Sequence, residues 1–244
     1  VTTLNDELDS TNPNATLADF GSAGDLSLRE ALVLAQRDVQ DTITFDASLA
    51  GQTLTLTRGE LSIAGFLTID GDVNGDGRAD VTIDANQASR VIKITAGDVG
   101  LHSLTLTGGQ VTTGGAGVFV AAGASADIIG STITGNATDG SSNARGGGIR
   151  NAGVLTLSDA AVNDNSAANG GGGLYNTGTA TITNVTFSGN TAGYGGGIAH
   201  HGSNTTTITG SRFLGNNAGT TAGGGIFSAE PLTIAQTTFS NNTA

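Results

Sequence analysis

The chain has 244 residues, enough for one large domain or two small ones, and it contains 40 Gly, 2 Pro and no Cys or Met. The low Pro content excludes collagen, the absence of Cys excludes disulfides and thiolate metal sites, and a net charge of −12 argues against nucleic-acid partners. Aromatic residues make up only 4% of the chain, so a core must come mainly from Val, Ile, Leu and Ala.

Residues 1–45 are predicted to form an N-terminal strand, VTTLND, and a short capping helix within GDLSLREALVLAQRD. Ser27 and Glu30 have the spacing of a capping box, in which each side chain bonds the other residue's backbone N–H. One face of the helix carries the apolar residues Leu28, Ala31, Leu32 and Ala35. We expect this amphipathic helix to cover the open apolar end of the first coil of a β-structure.

Residues 46–110 are predicted to form the first coils of that structure. From residue 41 onward, short segments alternate polar and β-branched apolar residues, which is typical of strands with one buried face. The predicted strands are DTITFD, QTLTLT, ELSIAG, FLTID, DVTIDA and RVIKIT.

An acidic loop, DGDVNGDGRAD, follows the fourth of these strands. The residues that match a calcium-binding loop are Asp72, Asn74, Asp76 and Asp80 for side-chain oxygens, Gly77 for the sharp turn and Arg78 for a backbone carbonyl. The twelfth position is Ile83 instead of the usual bidentate Glu, and Asp70 or Asp84 would have to compensate. We expect a structural Ca²⁺ ion here, and the alternative is an acidic, Gly-rich surface turn.

Residues 111–244 contain two repeated phrases. A glycine run precedes an aliphatic residue at Ile149, Leu174, Ile198 and Ile226, in steps of 25, 24 and 28 residues. The second phrase has an aliphatic residue, a large apolar residue five places later and an asparagine three places after that. Its members are Ile128, Ile133 and Asn136; Leu157, Val162 and Asn165; Ile182, Phe187 and Asn190; Ile208, Phe213 and Asn216; and Ile234, Phe239 and Asn242.

Repeats this short cannot bury an apolar face alone, so they must stack on their neighbours. The pattern predicts one elongated domain over residues 1–244, an all-β, right-handed parallel β-helix with a short N-terminal capping helix. Equivalent positions of successive coils would then form apolar ladders, with the asparagines in a ladder of their own at a bend. Disorder is the alternative for so Gly-rich a composition, but the internal spacing is too regular for it.

Two resemblances fit this prediction. The segment VTTLND…GDLSLREALVLAQ…DTITFD…LTIDGD…VTIDANQASRVIKI resembles the N-terminal part of bacterial surface proteins with a C-S-L-R-E-A motif, although Leu26 replaces the Cys. The glycine-run and F-x-x-N phrases resemble the G-G-A-[ILV] and F-x-x-N repeats of chlamydial polymorphic outer-membrane proteins, which are adhesins. These resemblances imply a right-handed parallel β-helix exported to a bacterial surface.

We therefore expect a non-catalytic, extracellular structural or adhesive protein, either a β-helical stalk or the subunit of a filament built by coil or strand stacking. Its expected partners are other copies of itself, or surface glycans and proteins, and neither nucleic acid nor a membrane span is expected. An uncapped last coil and the VTTLND strand motivate the filament hypothesis.

The alternative is a polysaccharide-binding or polysaccharide-degrading protein. In the repeat part the candidate ionisable residues are Asp127, Asp139, Asp159, Asp164, Glu230, Arg145, Arg150 and Arg212. Acids do not recur at one coil position there, which argues against paired catalytic carboxylates. The adjacent residues His200 and His201 would point to opposite faces of a strand, which argues against a shared metal.

Overall fold

The computed structural model describes residues 1–12, 14–20, 25–35, 39–140, 142–219 and 222–244, with only the backbone of Val39. These residues form an all-parallel β-solenoid of about 8 turns, which confirms the predicted fold class. One α-helix, α1 (Leu28–Ala35), and two 3₁₀ turns, Leu17–Asp19 and Ala47–Leu49, are the helical elements of the described ranges.

The strands of the described residues are short, mostly of three to five residues. In chain order they are β1 (Val39–Ile43), β2 (Thr53–Thr55), β3 (Leu61–Ile63), β4 (Phe66–Asp70), β5 (Val81–Asp84), β6 (Ile92–Ile94), β7 (Asp98–His102), β8 (Leu104–Thr107), β9 (Gln110–Val111), β10 (Val118–Val120), β11 (Ser125–Ile129), β12 (Thr132–Thr134), β13 (Ala137–Thr138), β14 (Ile149–Asn151), β15 (Val154–Ser158), β16 (Ala161–Asn163), β17 (Ser166–Gly170), β18 (Leu174–Asn176), β19 (Thr179–Thr183), β20 (Thr186–Ser188), β21 (Thr191–Tyr194), β22 (Ile198–His200), β23 (Thr206–Thr209), β24 (Arg212–Leu214), β25 (Asn217–Ala218), β26 (Ile226–Ser228), β27 (Thr233–Ala235) and β28 (Thr238–Ser240).

Four parallel sheets run along the solenoid axis. Sheet 1 contains β1, β4, β7, β11, β15, β19, β23 and β27, and sheet 2 contains β3, β6, β10, β14, β18, β22 and β26. Sheet 3 contains β2, β5, β8, β12, β16, β20, β24 and β28, and sheet 4 contains β9, β13, β17, β21 and β25. From β6 to β25, each coil contributes one strand to each sheet, in the order 2, 1, 3, 4.

The apolar residues of sheets 1, 2 and 3 point inward and stack in register. On sheet 2, Ile149 pairs with Leu174, Leu174 with Ile198, and Ile198 with Ile226. Sheet 1 aligns Ile128, Leu157, Ile182, Ile208 and Ile234, and sheet 3 aligns Ile133, Val162, Phe187, Phe213 and Phe239. The Phe213 ring stacks on Phe187 and on Phe239, with 4.9 Å between ring centroids in both pairs.

The asparagines form a ladder at the bend between sheets 3 and 4. The side-chain oxygen of Asn190 accepts the backbone N–H and the side-chain N–H of Asn165, both at 3.1 Å. Its amide nitrogen donates to the Val162 carbonyl at 2.8 Å and to Asn216 Oδ1 at 2.9 Å. Asn136, Asn165 and Asn216 repeat this arrangement toward the next coil, so each amide satisfies backbone groups where the chain leaves the sheet.

The glycine runs occupy the turn that enters sheet 2, where a side chain would collide with the backbone of the next coil. Gly171 has a φ of 67°, a left-handed conformation that side chains with a Cβ disfavour. A Cβ on Gly172 would lie 2.4 Å from the Thr191 carbonyl oxygen in the next coil. The repeated glycines therefore allow both the turn and the close approach of successive coils.

Helix α1 begins with the predicted capping box. Glu30 Oε2 accepts the Ser27 N–H at 3.0 Å, and Ser27 Oγ accepts the Glu30 N–H at 3.1 Å. Both residues are fully buried, and so are Leu28 and Leu32 to within 3%. Gly24 and residues 36–38 of the predicted helix segment lie outside the described residues.

The VTTLND segment does not form the predicted strand. The segment crosses between α1 and the first coil and makes isolated hydrogen bonds instead of regular strand pairing. The Val1 amine donates to the Thr44 carbonyl, and the Thr2 N–H donates to the Leu26 carbonyl. Asp6 fixes this path, because its side chain is only 1% exposed and forms a bidentate ion pair with Arg29. The backbone N–H groups of Thr57 and Arg58 also donate to Asp6.

Candidate functional site

The acidic loop lies between β4 and β5, and its carboxylates bond the loop's own backbone. Asp72 accepts the N–H groups of Gly75, Asp76 and Gly77 at 2.7, 3.1 and 2.8 Å. The hydrogen bond from Gly77 is the largest influence that holds the pKa of Asp72 below its ordinary value. These hydrogen bonds form Asx-type turns within the loop.

The remaining predicted calcium ligands are engaged in the same way. Asp80 accepts the N–H groups of Val73 and Asn74, at 2.9 and 3.2 Å, and Asp76 accepts that of Arg78 at 2.9 Å. In the described ranges, no group of three or more His, Cys, Asp or Glu residues is placed so that it could hold a metal ion. Calcium binding by this loop stays a prediction.

The candidate catalytic carboxylates of the repeat part are dispersed. Asp159 lies in the turn between β15 and β16, and Asp164 in the turn between β16 and β17. Asp127 instead joins two residues that the sequence did not connect with it, Asp98 and His102. All three line a cavity of about 230 Å³ on the outer side of sheet 1.

The Asp127 carboxyl in this cavity is chemically perturbed. Burial raises its pKa, the nearby His102 acts in the opposite direction, and Asp98 adds to the rise. Oδ1 of Asp127 and Nε2 of His102 are buried without a hydrogen-bond partner among the described residues. The register that aligns Asp127 with Gly100 is what opens this space, because a Cβ on Gly100 would lie 3.1 Å from His102 Nε2.

The two adjacent histidines have different surroundings. His200 is fully buried and follows Asn151 and Asn176 in a second amide column on sheet 2, which the sequence reasoning missed. Asn151 donates to Asn176 Oδ1 at 2.7 Å, and burial lowers the pKa of His200. His201 lies just beyond β22 and stacks on the Tyr175 ring at 5.5 Å. The pair is therefore not directed at one shared ligand.

The outer side of sheet 2 concentrates the chain's scarce cationic and aromatic side chains. Register places Lys93, Phe119, Arg150, Tyr175, Ala199 and Phe227 in one column. We call this surface, with its flanking residues, the cation–aromatic face; its members are Arg90, Lys93, Phe119, Arg145, Arg150, Tyr175, Tyr194, His201 and Phe227. It holds four of the nine Lys and Arg residues of the chain.

Cations and rings alternate along this face. The guanidinium groups of Arg90 and Arg150 lie 5.3 and 5.6 Å from the Phe119 ring centroid. Arg145 lies 5.1 Å from the Tyr175 ring centroid and donates to the Tyr175 hydroxyl at 3.0 Å. Such cation–π contacts contribute about 0.5–1 kcal/mol each at exposed sites.

The far end of the face is aromatic. Tyr194 meets His201 and Phe227 edge to face at 5.4 and 5.1 Å, and His201 lies 5.2 Å from Phe227. All three rings are partly exposed. Burial lowers the pKa of His201, and the neighbouring Arg145 adds to this effect. This shift favours the neutral form of the imidazole, whose ring extends the aromatic surface.

The cations of this face differ in whether a carboxylate lies beside them. Glu60 pairs with Arg90 and lies 3.6 Å from Lys93. Arg145 and Arg150 form no ion pair with any described residue, and their Nε atoms, like Nε2 of His201, are buried without a hydrogen-bond partner there. Within the part of the chain that the structure describes, these two guanidinium groups thus have no anionic partner.

The cation–aromatic face was accessible to sequence reasoning but was missed. Phe119, Arg150, Tyr175 and Phe227 each follow an inward-pointing residue of the sheet 2 ladder by one position. A comparison of the residue after each ladder position, from repeat to repeat, would have predicted this outer column of side chains. Tyr194 ends β21 on sheet 4, and Arg145 and His201 lie outside the named strands, so the sheet 2 periodicity does not locate them.

Comparison with protein-family models, with curated proteins and with solved structures gives no match for this chain. None of the helices in the described ranges has the length and apolar character needed to cross a membrane.

Proposed function

We infer that the chain is a non-catalytic structural and adhesive protein outside a bacterial cell, which serves as a β-helical stalk or as a filament subunit. The observation that carries this proposal is the continuous parallel pairing of the sheet 1 and sheet 3 strands from the first coil to the last described coil. With eight strands spaced about 4.8 Å apart, sheet 1 makes a rod roughly 35 Å long. Such a rod presents long, repetitive faces, as solenoids that bind partners do.

The bacterial and extracellular setting rests on the resemblances and on composition. The S-L-R-E-A segment from Ser27 to Ala31 and the F-x-x-N repeats favour a bacterial surface protein, and a Cys-free, Thr- and Asn-rich acidic chain is compatible with export. The test is adhesion: fluorescent beads coated with the chain should be retained on host-cell or glycan-coated surfaces under flow. Retention equal to that of albumin-coated beads would contradict the adhesive function.

The filament form of the proposal concerns the last described coil. Ile234 and Phe239 remain 43% and 47% exposed there, and they line a wide cavity with Ile226 and Leu232. A further coil in the same register would bury them, whether it belongs to the same polypeptide or to another copy. We expect concentration-dependent assembly in sedimentation velocity and rods in negative-stain images. A monodisperse monomer at high concentration would refute the filament and leave the stalk.

The second candidate function, binding or degradation of a polysaccharide, is favoured by the cavity around Asp127. A carboxyl with a raised pKa beside a second carboxyl is the arrangement that glycosidases use. Incubation with acidic polysaccharides separates the two functions, because a lyase generates unsaturated ends that absorb in the ultraviolet and a hydrolase generates reducing ends. We expect neither product; turnover that is lost in Asp127→Asn would overturn the non-catalytic proposal.

Calcium is proposed as a structural ion of the acidic loop. Ca²⁺ would replace the internal N–H donors with a charge that favours the clustered carboxylates, so we expect calcium to raise the melting temperature and chelator to lower it. Asp76→Asn is the test variant, and Asp139→Asn, which changes an exposed carboxylate just after β13, is the control. An identical melting temperature with calcium and with chelator would contradict the site.

A further inference from the structure

The cation–aromatic face has features that the stability of the solenoid does not require. Its side chains point away from the core, which is already filled by the apolar ladders of sheets 1, 2 and 3. Exposed aromatic rings are rare in this chain, which has only 8 Phe, 2 Tyr and no Trp. A surface enriched in Tyr, Phe and Arg is typical of binding sites, where these residues contribute most of the binding energy.

The hydrogen bonding of the face is incomplete. Buried N–H groups without an acceptor are unfavourable, and Arg145 and Arg150 each keep one at Nε that has no partner among the described residues. The guanidinium planes are held in place by the Phe119 and Tyr175 rings. Planar guanidinium groups that are already oriented recognise carboxylate and sulfate oxygens through paired hydrogen bonds.

The charge distribution of the protein indicates that the ligand of this face is negatively charged. The first 100 residues carry 16 of the 21 acidic residues, whereas the uncompensated Arg145 and Arg150 lie on coils beyond them. An anion therefore finds a local positive site on a protein whose net charge is −12. Two guanidinium groups are too few to form the basic stripe that nucleic acids need.

The aromatic rings of the face indicate what the ligand carries between its anionic groups. Tyr194, His201 and Phe227 form a partly exposed apolar platform that continues the line of the two arginines along the solenoid axis. The C–H faces of sugar rings pack on such platforms, and a linear polymer can follow coils that repeat about every 4.8 Å. A compact anion would contact the arginines but leave the platform unused.

We propose that the cation–aromatic face is a binding site for an acidic polysaccharide, whose carboxylate or sulfate groups pair with Arg145 and Arg150 while its sugar rings lie on Tyr194 and Phe227. This rests on the proposed adhesive function and gives that function a ligand class. The polymer runs along the outer side of sheet 2, parallel to the solenoid axis.

The test is affinity electrophoresis and biolayer interferometry with four immobilised probes: sodium polygalacturonate, dextran sulfate, neutral dextran and single-stranded polyadenylate. We expect binding to one or both acidic polysaccharides, weakened by added salt because exposed ion pairs are screened, and none to dextran. A comparison of the affinities for polygalacturonate and for dextran sulfate distinguishes recognition of carboxylates from recognition of sulfates. Preferential binding of polyadenylate, or equal binding of neutral and sulfated dextran, would overturn the proposal.

Matched variants locate the site. Arg145→Gln combined with Arg150→Gln should weaken binding at least tenfold, which corresponds to a loss of about 1.4 kcal/mol of binding free energy. Phe227→Leu should weaken binding with little change in its salt dependence. Arg212→Gln, an exposed substitution on the outer side of sheet 3, should leave binding unchanged. Melting curves verify that each variant is folded. Undiminished binding by the double variant, or no binding of either acidic polysaccharide by the unmodified chain, would overturn the proposal.

The bead assay separates this inference from the proposed function. Retention that persists in the Arg145→Gln, Arg150→Gln variant contradicts the polysaccharide site and supports adhesion through another surface. Retention that is lost in this variant, but kept in Arg212→Gln, supports both. Failure of the unmodified chain to adhere, together with measurable binding to acidic polysaccharide, supports the site and contradicts the adhesive function.

Discussion

Replacing Asn190 by Ala tests the asparagine ladder as a source of stability. The side chain makes four hydrogen bonds, two as acceptor from Asn165 and two as donor, to the Val162 carbonyl and to Asn216 Oδ1. All four are buried, and Asn190 itself is 0% exposed.

The expected loss follows from these contacts. Four buried hydrogen bonds at a net of about 1 kcal/mol each give about 4 kcal/mol. The Asn165 N–H then lacks its acceptor within the described structure, and an orphaned buried N–H adds about 1–3 kcal/mol. We expect Asn190→Ala to lower the free energy of unfolding by about 5–7 kcal/mol, a large part of the total for a typical domain.

The assay is urea unfolding followed by circular dichroism, with amide hydrogen exchange to locate the effect. The matched control is Asn217→Ala, because Asn217 is an exposed neighbour of the ladder whose side chain accepts one hydrogen bond, from the Thr243 hydroxyl. That control should change stability by no more than about 0.5 kcal/mol. A cost of less than about 1.5 kcal/mol with an unchanged m-value, or an Asn165 amide that stays protected, would contradict a stabilising role of the ladder.

Three further predictions concern the ladder, the glycines and the N-terminal clamp. Phe213→Ala should destabilise the fold by about 3–5 kcal/mol, whereas Phe239→Ala, at a ring 47% exposed, should cost much less in the same urea titration. Gly172→Ala should reduce soluble yield and lower the melting temperature because its Cβ would meet carbonyl oxygens of the next coil at 2.4 and 2.6 Å, while Gly219→Ala, with 3.8 Å to its nearest contact, should be tolerated. Burial would raise the pKa of Asp6, but the hydrogen bonds from Arg29 and from two backbone N–H groups outweigh it and hold this pKa below 3.8. The stabilisation is therefore present above that pH and lost as the pH falls through the lowered value. Asp6→Asn should cost about 3–5 kcal/mol at neutral pH and flatten the acid branch of the stability curve. An acid branch unchanged by the substitution would contradict the clamp.

The fold could be predicted from the sequence because its determinants are local. The constant spacing within each repeat, for example Ile182, Phe187 and Asn190, specifies two inward positions and one bend whatever the length of the intervening turns. Period-two alternation located β1 to β6, and the Ser27–Glu30 spacing located the start of α1. The VTTLND strand was predicted wrongly, because its path depends on the distant donors Arg29, Thr57 and Arg58 that hold Asp6.

The sequence by itself determined the solenoid, its ladders and its capping helix, since each depends on residues within a few positions of one another. Only the tertiary structure decided which polar residues share a surface: Asp127 with His102, Asn176 with His200, and the members of the cation–aromatic face. The physical reason is register. Contacts between coils join residues some 23 to 32 positions apart, and turns of unequal length lie between them: Arg150 and Tyr175 are 25 positions apart, whereas Phe119 and Arg150 are 31 apart. Which side chain meets which is therefore set by how the strands pair, after the short-range pattern has already chosen the fold.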